Sequence, residues 1–310
     1  MDEVVPRLSA GTPPASPARW LAGRLAVVTG ASRGIGAATA AAMAAAGAHV
    51  VLAARDQHAL DEVAGRINDA GGQATPLPTD VSNEAAVQRL FAEVAGVGQV
   101  AALVCAAGVL TPARFAETTS AMWDETLRVN LTGTFLCCRA AFTAMVPAGE
   151  GRIVTLGSLS GVYATEKFPG LAAYNVSKYG VIGLTEAIAV EGKEHGISAI
   201  CLSPGAVDTE MLRRANPALR PGLTPDDVAD LIVALLDSRL APASGANIPL
   251  FSNAYASDQR SVRSSASTAG ADRARAATRR AQAAISPSRS SSGSPPRSRP
   301  TAARTTPPTR

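Results

Sequence analysis

The feature that most constrains the fold is a regular alternation of short apolar runs with longer helix-like segments. Most of these runs are continuous rather than alternately polar, which is typical of strands covered on both faces. Strands that alternate with helices predict βαβ units, and hence an α/β protein whose doubly wound parallel sheet has about seven strands and helices on both faces. The predicted strands are 25–30, 49–54, 74–80, 100–107, 152–158, 197–204 and 245–251. The predicted helices are 34–46, 57–70, 83–96, 119–146, 173–194 and 225–237.

Composition confines this fold to the middle of the 310 residues. Residues 1–20 are rich in Pro and Ala and have no apolar period, and residues 257–310 contain a single Ile, one Val and no aromatic side chain. Such segments cannot bury enough apolar surface to offset the entropy lost on ordering. We therefore expect one folded domain over 21–256, a disordered extension over 1–20 and a disordered Arg/Ser/Pro-rich tail over 257–310.

Charge separates the tail from the domain. The tail carries eleven arginines against Asp258 and Asp272, a charge of +9, so the total of +4 leaves −5 for the preceding residues. A nucleic-acid-binding function would have to come from the tail alone, through salt-dependent contacts with phosphates. The tail has no interleaved aromatic residues, and this binding-module hypothesis is therefore the weaker alternative.

The cysteines and the N-terminus bear on the cell compartment. Cys105, Cys137, Cys138 and Cys201 show no C-x-x-C spacing and lie in apolar runs, which predicts buried, reduced thiols rather than a metal or disulfide framework. Acidic residues stand near the N-terminus where a signal peptide has basic ones, and no run of about 18 apolar residues occurs. We expect a cytoplasmic protein with no bound metal and no membrane partner.

A glycine-rich turn follows the first predicted strand, in the sequence "TGASRGIG" at 29–36. Glycines let the backbone turn tightly and approach a pyrophosphate, and the start of the following helix offers unpaired N–H groups and partial positive charge. The spacing of Gly30, Gly34 and Gly36 differs from the common G-x-G-x-x-G pattern. The predicted dinucleotide-binding residues of this turn are Gly30, Ser32, Arg33, Gly34, Ile35 and Gly36.

The end of the second predicted strand indicates which dinucleotide is bound. A site for NAD usually has an acid here, which accepts hydrogen bonds from the ribose hydroxyls. This strand instead ends with Ala54 and Arg55, and Asp56 comes one residue later on the loop. Arg55 can pair with a 2′-phosphate, and Arg33 in the glycine turn can supply a second cation. The two arginines favour NADP(H) over NAD(H), although either could be an ordinary solvated side chain.

The stretch "AAYNVSKYG" at 172–180 places two tyrosines around one of only three lysines in the chain. Tyr174 and Lys178 are four residues apart, so on a helix they share one face, with Cβ atoms about 5–6 Å apart. Tyr179 points elsewhere. Taken alone, this pattern is just as typical of an ordinary amphipathic helix.

The order of several motifs resembles that of the short-chain dehydrogenase/reductase family over residues 21–256. The resemblance rests on "TGASRGIG", Asp80 in "TDV", "CAAG" at 105–108, "VNLTG" with Asn130, "IVTLGS" with Ser158, "YNVSK" at 174–178 and "SPGAVDT" at 203–209. It implies a Rossmann-like domain and NAD(P)(H)-dependent interconversion of a carbonyl and an alcohol. It also implies that Tyr174, not Tyr179, is the catalytic tyrosine.

The resemblance assigns roles to the matching positions. Tyr174 would be the general acid and base, and the Lys178 ammonium would lower the pKa of its phenol from about 10 and hold the nicotinamide ribose. Ser158 would polarise the substrate oxygen, and Asn130 would position a water that links Lys178 to bulk solvent. The further cofactor contacts implied are Asp80 and Val81 for adenine, Ala107 and Gly108 for ribose, Tyr174 and Lys178 at the nicotinamide, and Pro204, Gly205, Val207 and Thr209 at its amide.

Two departures from the family pattern stand out. Cys105 and Ala106 replace the two asparagines that often precede the Ala-Gly pair, which we expect to weaken a hydrogen bond that braces the sheet. Ser158 and Tyr174 are sixteen residues apart, where the family more often shows about thirteen. The longer loop over 159–173 is expected to reshape one wall of the pocket.

The substrate is less constrained than the chemistry. The segment 206–223 lies where the family has a mobile lid, and Arg213, Arg214 and Arg220 could meet a phosphopantetheine, a coenzyme A or an acidic carrier protein. A 3-oxoacyl-thioester reductase is the first hypothesis; a reductase of another small ketone or polyketide-like intermediate, and an NADP sensor without turnover, are alternatives. The resemblance also implies a homotetramer or homodimer.

Overall fold

Seven parallel strands form the centre of the computed structural model, which describes residues 18–251. The strands are β1 (Leu25–Thr29), β2 (His49–Ala54), β3 (Gln73–Pro78), β4 (Val100–Cys105), β5 (Gly151–Leu156), β6 (Ile197–Pro204) and β7 (Asn247–Leu250). Their order is β3-β2-β1-β4-β5-β6-β7, and every neighbouring pair is parallel. The predicted α/β class and the seven-stranded parallel sheet are therefore confirmed.

Nine α-helices accompany these strands in the described part of the chain. They are α1 (Ala18–Leu21), α2 (Gly34–Ala45), α3 (Gln57–Asp69), α4 (Glu84–Val97), α5 (Ser120–Leu127), α6 (Gly133–Met145), α7 (Ala172–Gly192), α8 (Glu210–Ala215) and α9 (Pro225–Leu235). Successive side chains of a strand point to opposite faces, so the sheet has two cores. Ala26 and Val28 of β1 pack with side chains of α2, α3 and α9, whereas Val27 packs with those of α4 and α6.

The start of α9 illustrates how the sequence sets a helix boundary. The Thr224 hydroxyl accepts a hydrogen bond from the Asp227 N–H at 3.2 Å, and the Asp227 carboxylate accepts one from the Thr224 N–H at 2.7 Å. Pro225 occupies the first helical position, where it has no N–H to leave unpaired. The predicted capping residue and helix start are both confirmed.

The described residues differ from the predicted boundaries in two places. Helix α1 falls at the end of the extension predicted over 1–20, and Trp20 packs against the core, so these last residues belong to the domain. The tail predicted over 257–310 and most of the N-terminal extension lie outside the described residues. The helix predicted over 119–146 is broken by a π-helical turn, Arg128–Thr132, between α5 and α6.

The helical stretch Ser120–Ala148 is long and apolar enough to cross a membrane, by length and composition alone, with a mean hydropathy of 1.3. The sequence analysis did not single it out, because polar residues interrupt its apolar runs. Half of its most apolar part is buried inside the fold, and core helices of folded domains can have the same length and composition.

The four cysteines are free and buried, as predicted. The Sγ atoms of Cys105 and Cys138 lie 3.7 Å apart across β4 and α6. Over residues 18–251, no three His, Cys, Asp or Glu side chains are grouped so that they could hold a metal ion.

Candidate active site

The strand order places a crevice at the carboxyl end of β1. The chain runs outward from β1 to β3 and then returns to β4 on the other side of β1, so the loops after β1 and β4 leave the sheet in opposite directions. In sheets of this kind, ligands bind at such a switch point. The predicted site residues follow β1, β2, β3, β4, β5 and β6, and they therefore gather at one edge of the sheet.

The glycines of the turn after β1 are required by close backbone contacts. Gly30 has a φ of +65°, and a Cβ there would lie 2.7 Å from the backbone of Ala106 and Ala107 after β4. A Cβ at Gly36 would overlap the carbonyl oxygen of Gly30. The glycines thus let the turn, the start of α2 and the end of β4 lie against one another.

Helix α2 starts without a side-chain cap. Its N-cap residue is Arg33, whose side chain makes no capping hydrogen bond, and its first turn has no acidic residue. By contrast, Asp56, Asn83 and Thr224 cap α3, α4 and α9. Open N–H groups at a helix start, beside a glycine turn, fit the phosphates of a dinucleotide. The side chain of Ile35 packs against the hydrophobic core, and Ser32 lies half-buried in the turn.

The two arginines predicted to hold a 2′-phosphate lie in different surroundings. Arg55 follows β2, is exposed, and forms no ion pair with any residue between 18 and 251. Arg33 Nη1 lies 3.1 Å from Glu210 Oε2, in an ion pair that the sequence analysis missed. The Asp56 carboxylate accepts a hydrogen bond from the Ala59 N–H at 3.1 Å, so it serves α3.

Asp80 lies beyond β3 as a half-buried, ionised acceptor. Its Oδ1 accepts hydrogen bonds from the N–H and the hydroxyl of Ser82, at 3.0 and 2.7 Å. Partial burial raises the pKa of Asp80, but the Ser82 hydrogen bonds and the charges of Arg128 and Arg55 together bring it below the ordinary value. Oδ2 remains open to a donor such as the adenine amino group. The next residue, Val81, is buried against Gly133 at the start of α6.

Helix α7 brings the predicted tyrosine and lysine to the same place. Lys178 Nζ lies 5.6 Å from the centroid of the Tyr174 ring, and the Tyr174 phenol interacts with the side chain of Ser158 after β5. Burial raises the pKa of the Tyr174 phenol, and the Ser158 hydrogen bond only partly opposes this. In the free protein, the direction is therefore the opposite of the predicted lowering by Lys178.

Lys178 is hydrogen-bonded to a different partner. Its side chain is buried, and its Nζ donates a hydrogen bond to the Leu156 carbonyl oxygen at 2.7 Å. Burial lowers the pKa of Lys178 to about 8. Lys178 therefore loses its proton at a lower pH than an exposed lysine does. Its hydrogen bond goes to the end of β5 rather than to the phenol.

Asn130 connects three segments of the site. Its Oδ1 accepts a hydrogen bond from the Val109 N–H at 2.7 Å, while its Nδ2 donates to the Val109 carbonyl at 2.9 Å and to the Ser177 hydroxyl at 3.1 Å. Both amide N–H groups are used, so the side chain ties the π-turn to the loop after β4 and to α7. Gly108 lies between Asn130 and Lys178, since a Cβ there would be 3.4 Å from Asn130 Oδ1 and 4.0 Å from Lys178 Nζ.

The loop after β4 departs from the family pattern without losing order. Cys105 contacts Cys138, and the N–H of Ala107 donates to the Thr29 hydroxyl at 3.3 Å. Ala107 is therefore tied directly to the last residue of β1. This hydrogen bond connects the two loops that bound the crevice.

The segment after β6 lies across the glycine turn. Pro204 ends β6, and the Gly205 N–H donates to the Leu250 carbonyl at 2.9 Å. Val207 is buried and forms a bridge with Leu223, and the Thr209 hydroxyl accepts from the Leu212 N–H at 3.2 Å to cap α8. A Cβ at Gly34 would lie 3.4 Å from the Thr209 methyl carbon.

The longer loop after Ser158 is held by a lysine that the sequence analysis did not single out. Lys167 Nζ donates to the carbonyls of Leu159 and Val162 and to the Thr165 hydroxyl, at 3.1, 2.6 and 2.6 Å. The Tyr179 hydroxyl also donates to the Val162 carbonyl, at 3.2 Å, and Lys167 lies 5.2 Å from the Tyr179 ring centroid. Tyr179 thus faces the loop, away from Lys178.

Several known proteins are similar to this chain in sequence. The model of the short chain dehydrogenase family matches residues 24–220. D-threitol dehydrogenase of Mycolicibacterium smegmatis is 33% identical over 240 residues, which cover 74% of this chain and 91% of that protein. The 3-oxoacyl-[acyl-carrier-protein] reductase of Synechocystis sp. is 34% identical over 222 residues, 68% of this chain and 88% of that protein. Glycine betaine reductase of Emericella nidulans is 34% identical over 227 residues, but the match spans only 18% of its length.

A solved structure supports the same assignment. The crystal structure of a protein assigned as an NAD(P) dependent gluconate 5-dehydrogenase from Beutenbergia cavernae has NADP bound at low occupancy. It is 36% identical, with a TM-score of 0.69 over 75% of this chain and 96% of that chain. The chain therefore belongs to the short chain dehydrogenase family, oxidoreductases that act on alcohol and carbonyl groups with NAD or NADP.

Proposed function

We propose that the protein is an NADP(H)-dependent oxidoreductase that interconverts a carbonyl group and a secondary alcohol, with Tyr174 as general acid and base. The observation that carries this proposal is the meeting of three side chains at the carboxyl edge of the sheet. The Tyr174 phenol interacts with Ser158, and the buried Lys178 ammonium lies 5.6 Å from the same ring.

Each of these side chains has one role in the proposed reaction. When a nicotinamide cofactor is bound, it would supply the hydride that reduces the carbonyl carbon. Tyr174 gives its phenolic proton to the oxygen of the substrate, and takes it back in the oxidation. The Ser158 Oγ accepts a hydrogen bond from the Ser160 N–H at 3.1 Å. In the proposed reaction the Ser158 O–H turns from the Tyr174 oxygen to the substrate oxygen and polarises it.

Lys178 and Asn130 support the tyrosine. An ammonium group has three N–H donors, and Lys178 uses one of them on Leu156, which leaves donors for the ribose hydroxyls and the phenol. Asn130 fixes the helix that carries Ser177 and Lys178 against the loop after β4. Burial raises the pKa of Tyr174 in the free protein, so efficient proton transfer would require the bound cofactor and the Lys178 ammonium to lower it toward the working pH.

The proposed preference for NADP(H) rests on residues after β2. Ala54 stands where an NAD site usually has a carboxylate, and the Arg55 guanidinium is exposed and free of ion pairs with the described residues. The NADP bound in the Beutenbergia cavernae structure is compatible with this preference. An arginine can bind a phosphate through two parallel hydrogen bonds. NAD has a hydroxyl instead of a phosphate at the 2′ position and cannot form this pair.

A 3-oxoacyl thioester remains our first proposed substrate, and the Synechocystis relative supports it. Another small ketone or polyketide-like intermediate is the alternative, and the D-threitol relative favours a small substrate. Arg213 pairs with Asp208 and Arg214 with Glu210, so the segment 206–223 has its three arginines offset by two carboxylates. This pairing weakens the part of the thioester hypothesis that relied on these arginines.

Substrate turnover tests the proposal directly. NADPH absorbance is followed with acetoacetyl-coenzyme A, cyclic ketones and small keto-polyols, and the Tyr174→Phe variant serves as the blank. We expect oxidation of NADPH with at least one of these ketones, by the wild type alone. Equal rates for the variant would remove Tyr174 from the mechanism, and turnover with NADH only would remove the NADP assignment.

Assembly and location complete the proposal. The outer face of α7 exposes Val176, Tyr179 and Val190, which suits burial against a second copy in a homodimer or homotetramer. A cytoplasmic location is proposed from the reduced, buried cysteines.

None of the relatives named above supports a nucleic-acid function. Unchanged reductase activity after truncation at Ser257 would show that catalysis does not need the tail.

A further inference from the structure

An ion pair spans the mouth of the predicted cofactor cleft. It joins Arg33, at the start of α2, to Glu210, the first residue of α8, with 3.1 Å between Nη1 and Oε2. The two residues are 177 positions apart, Arg33 in the turn after β1 and Glu210 in the segment after β6. The Arg33 side chain is 70% exposed and that of Glu210 is 43% exposed, so both can exchange partners without leaving water.

A second contact lies beside this ion pair. The Thr209 methyl carbon would be 3.4 Å from a Cβ at Gly34, so the chain at the start of α8 comes close to the glycine turn. The base of the α8 segment is fixed, because the Asp208 N–H donates to the Leu223 carbonyl at 2.8 Å and Val207 bridges Leu223. Thr209 and Glu210, immediately beyond this fixed base, are the residues that reach the turn.

Arg33 therefore has a choice between two anions. In the free protein, it holds a carboxylate of charge −1, whereas a ribose 2′-phosphate carries a charge of about −1.5 to −2 near pH 7 and three acceptor oxygens. A guanidinium pairs with either anion through the same forked geometry, and the phosphate is the stronger partner. NAD(H) lacks that phosphate and therefore does not compete with Glu210 for Arg33.

The geometry points to Glu210 as the competitor that a 2′-phosphate must displace from Arg33, so that the phosphate of NADP(H), but not NAD(H), releases α8 from the glycine turn. This inference rests on the proposed NADP(H) function. It makes Glu210 a determinant of cofactor affinity, and it couples recognition of the phosphate to the position of the segment that covers the proposed substrate site.

The competition is tested by equilibrium binding of adenosine 2′,5′-bisphosphate and of AMP to the full chain, measured by titration calorimetry. Exposed ion pairs are worth little, so we expect Glu210→Gln to tighten bisphosphate binding by about two- to fivefold and to leave AMP binding unchanged. In an Arg33→Ala background, the same substitution should have no effect. The control is Arg214→Gln, which removes the other partner of Glu210 but leaves the Arg33 ion pair in place.

Release of α8 has its own readout, hydrogen exchange of the amides in Glu210–Ala215. Exchange should be faster in Glu210→Gln without ligand, and in the wild type with the bisphosphate, but not with AMP. An equal gain in affinity in the Arg33→Ala background would overturn the inference, because it would indicate general repulsion of the anion. If Glu210→Gln left the affinity for the bisphosphate unchanged, the competition would be overturned but the NADP assignment would stand. If the wild type did not bind the bisphosphate, both would be overturned.

Discussion

The buried ammonium of Lys178 donates a hydrogen bond of 2.7 Å to the main-chain carbonyl oxygen of Leu156. One neutral acceptor does not compensate for the loss of water around a cation, and burial accordingly lowers the pKa of Lys178 to about 8. The fold thus places a lysine that is mostly neutral above pH 8 at 5.6 Å from the ring of the proposed catalytic tyrosine. This arrangement has a measurable effect on stability.

We predict that Lys178 adds a pH-dependent contribution to the free energy of unfolding. The unfolded chain binds the proton with the ordinary pKa of 10.5 and the folded chain with about 8. The contribution is thus fully present above pH 10.5 and is lost as the pH falls through 8. Its full size is roughly 3 kcal/mol.

Urea unfolding of the wild type and of Lys178→Met at several pH values between 7 and 10.5 measures this contribution. As the pH rises, the free energy of unfolding of the wild type should increase relative to that of Lys178→Met. Effects of the substitution that do not depend on the charge of Lys178 shift the variant equally at every pH and cancel from the trend. A difference that stays flat across this range would contradict the lowered pKa.

Replacement of Tyr174 by Phe is predicted to remove the proton donor while leaving the cofactor site in place. General acid and base groups contribute about 10²- to 10⁴-fold, so kcat should fall by that factor, with the dissociation constant for NADPH within about twofold of the wild type. Tyr179→Phe is the matched control, since Tyr179 faces the loop at Val162 and should keep most of the activity. Comparable losses in both variants would indicate a structural effect of the helix.

The sequence predicted the sheet and the gathering of the site residues because those depend on local patterns. Continuous apolar runs mark covered strands, and residues that follow parallel strands must meet at one edge. The strand boundaries fall within a few residues of the prediction, as in 197–204 against Ile197–Pro204. The N-cap of α9 was readable for the same reason, since Thr224 and Asp227 are three residues apart.

The properties that the sequence did not predict depend on contacts between distant residues. The raised pKa of Tyr174 comes from burial and from Ser158, which no spacing along α7 reveals. The Arg33–Glu210 ion pair joins residues from opposite ends of the domain. Asn130 lies in a π-helical turn, and its side chain bonds Val109 and Ser177, which are far from it in sequence.

Reversal of charge at the end of β2 is predicted to reverse the cofactor preference. Arg55→Asp combined with Arg33→Ala removes both cations that could meet a 2′-phosphate and supplies a carboxylate for the ribose hydroxyls of NAD. Hydrogen bonds to charged groups are worth about 1.5–3 kcal/mol, so the NADPH dissociation constant should rise by tenfold or more, while NADH binds more tightly. Arg66→Asp in the last turn of α3 is the control, and it should change neither constant. An equal loss for both cofactors would argue against the assignment.

Lys167 is predicted to shape the substrate pocket through the loop after Ser158. Lys167→Met removes hydrogen bonds to Leu159, Val162 and Thr165 but keeps an apolar chain of similar length. We expect KM for the ketone to rise about three- to tenfold, with kcat within about twofold, because a loosened wall weakens substrate binding more than proton transfer. The exposed Lys193 offers the control substitution Lys193→Met, and a fall in kcat at unchanged KM would point to a different role for Lys167.

Alanine substitutions at Gly36 and Gly65 compare a glycine in close contact with backbone atoms and a glycine on an open helix surface. A methyl group at Gly36 would overlap the Gly30 carbonyl oxygen, and a main-chain atom cannot move aside as a side-chain end can. Gly36→Ala should therefore destabilise the protein by about 1–3 kcal/mol and weaken dinucleotide binding. Gly65 lies in α3 with nothing within 4 Å of its missing Cβ, so Gly65→Ala should stabilise by about 0.5–1 kcal/mol.

Urea unfolding and NADPH titration of the same two variants provide the comparison. The expected result is opposite signs for stability and a loss of binding confined to Gly36→Ala. If Gly36→Ala were as stable as the wild type and bound NADPH normally, Gly36 and the Gly30 carbonyl oxygen could not be in close contact. The proposed binding of the cofactor phosphates at the start of α2 depends on that contact, because it brings the helix N–H groups up against the end of β1.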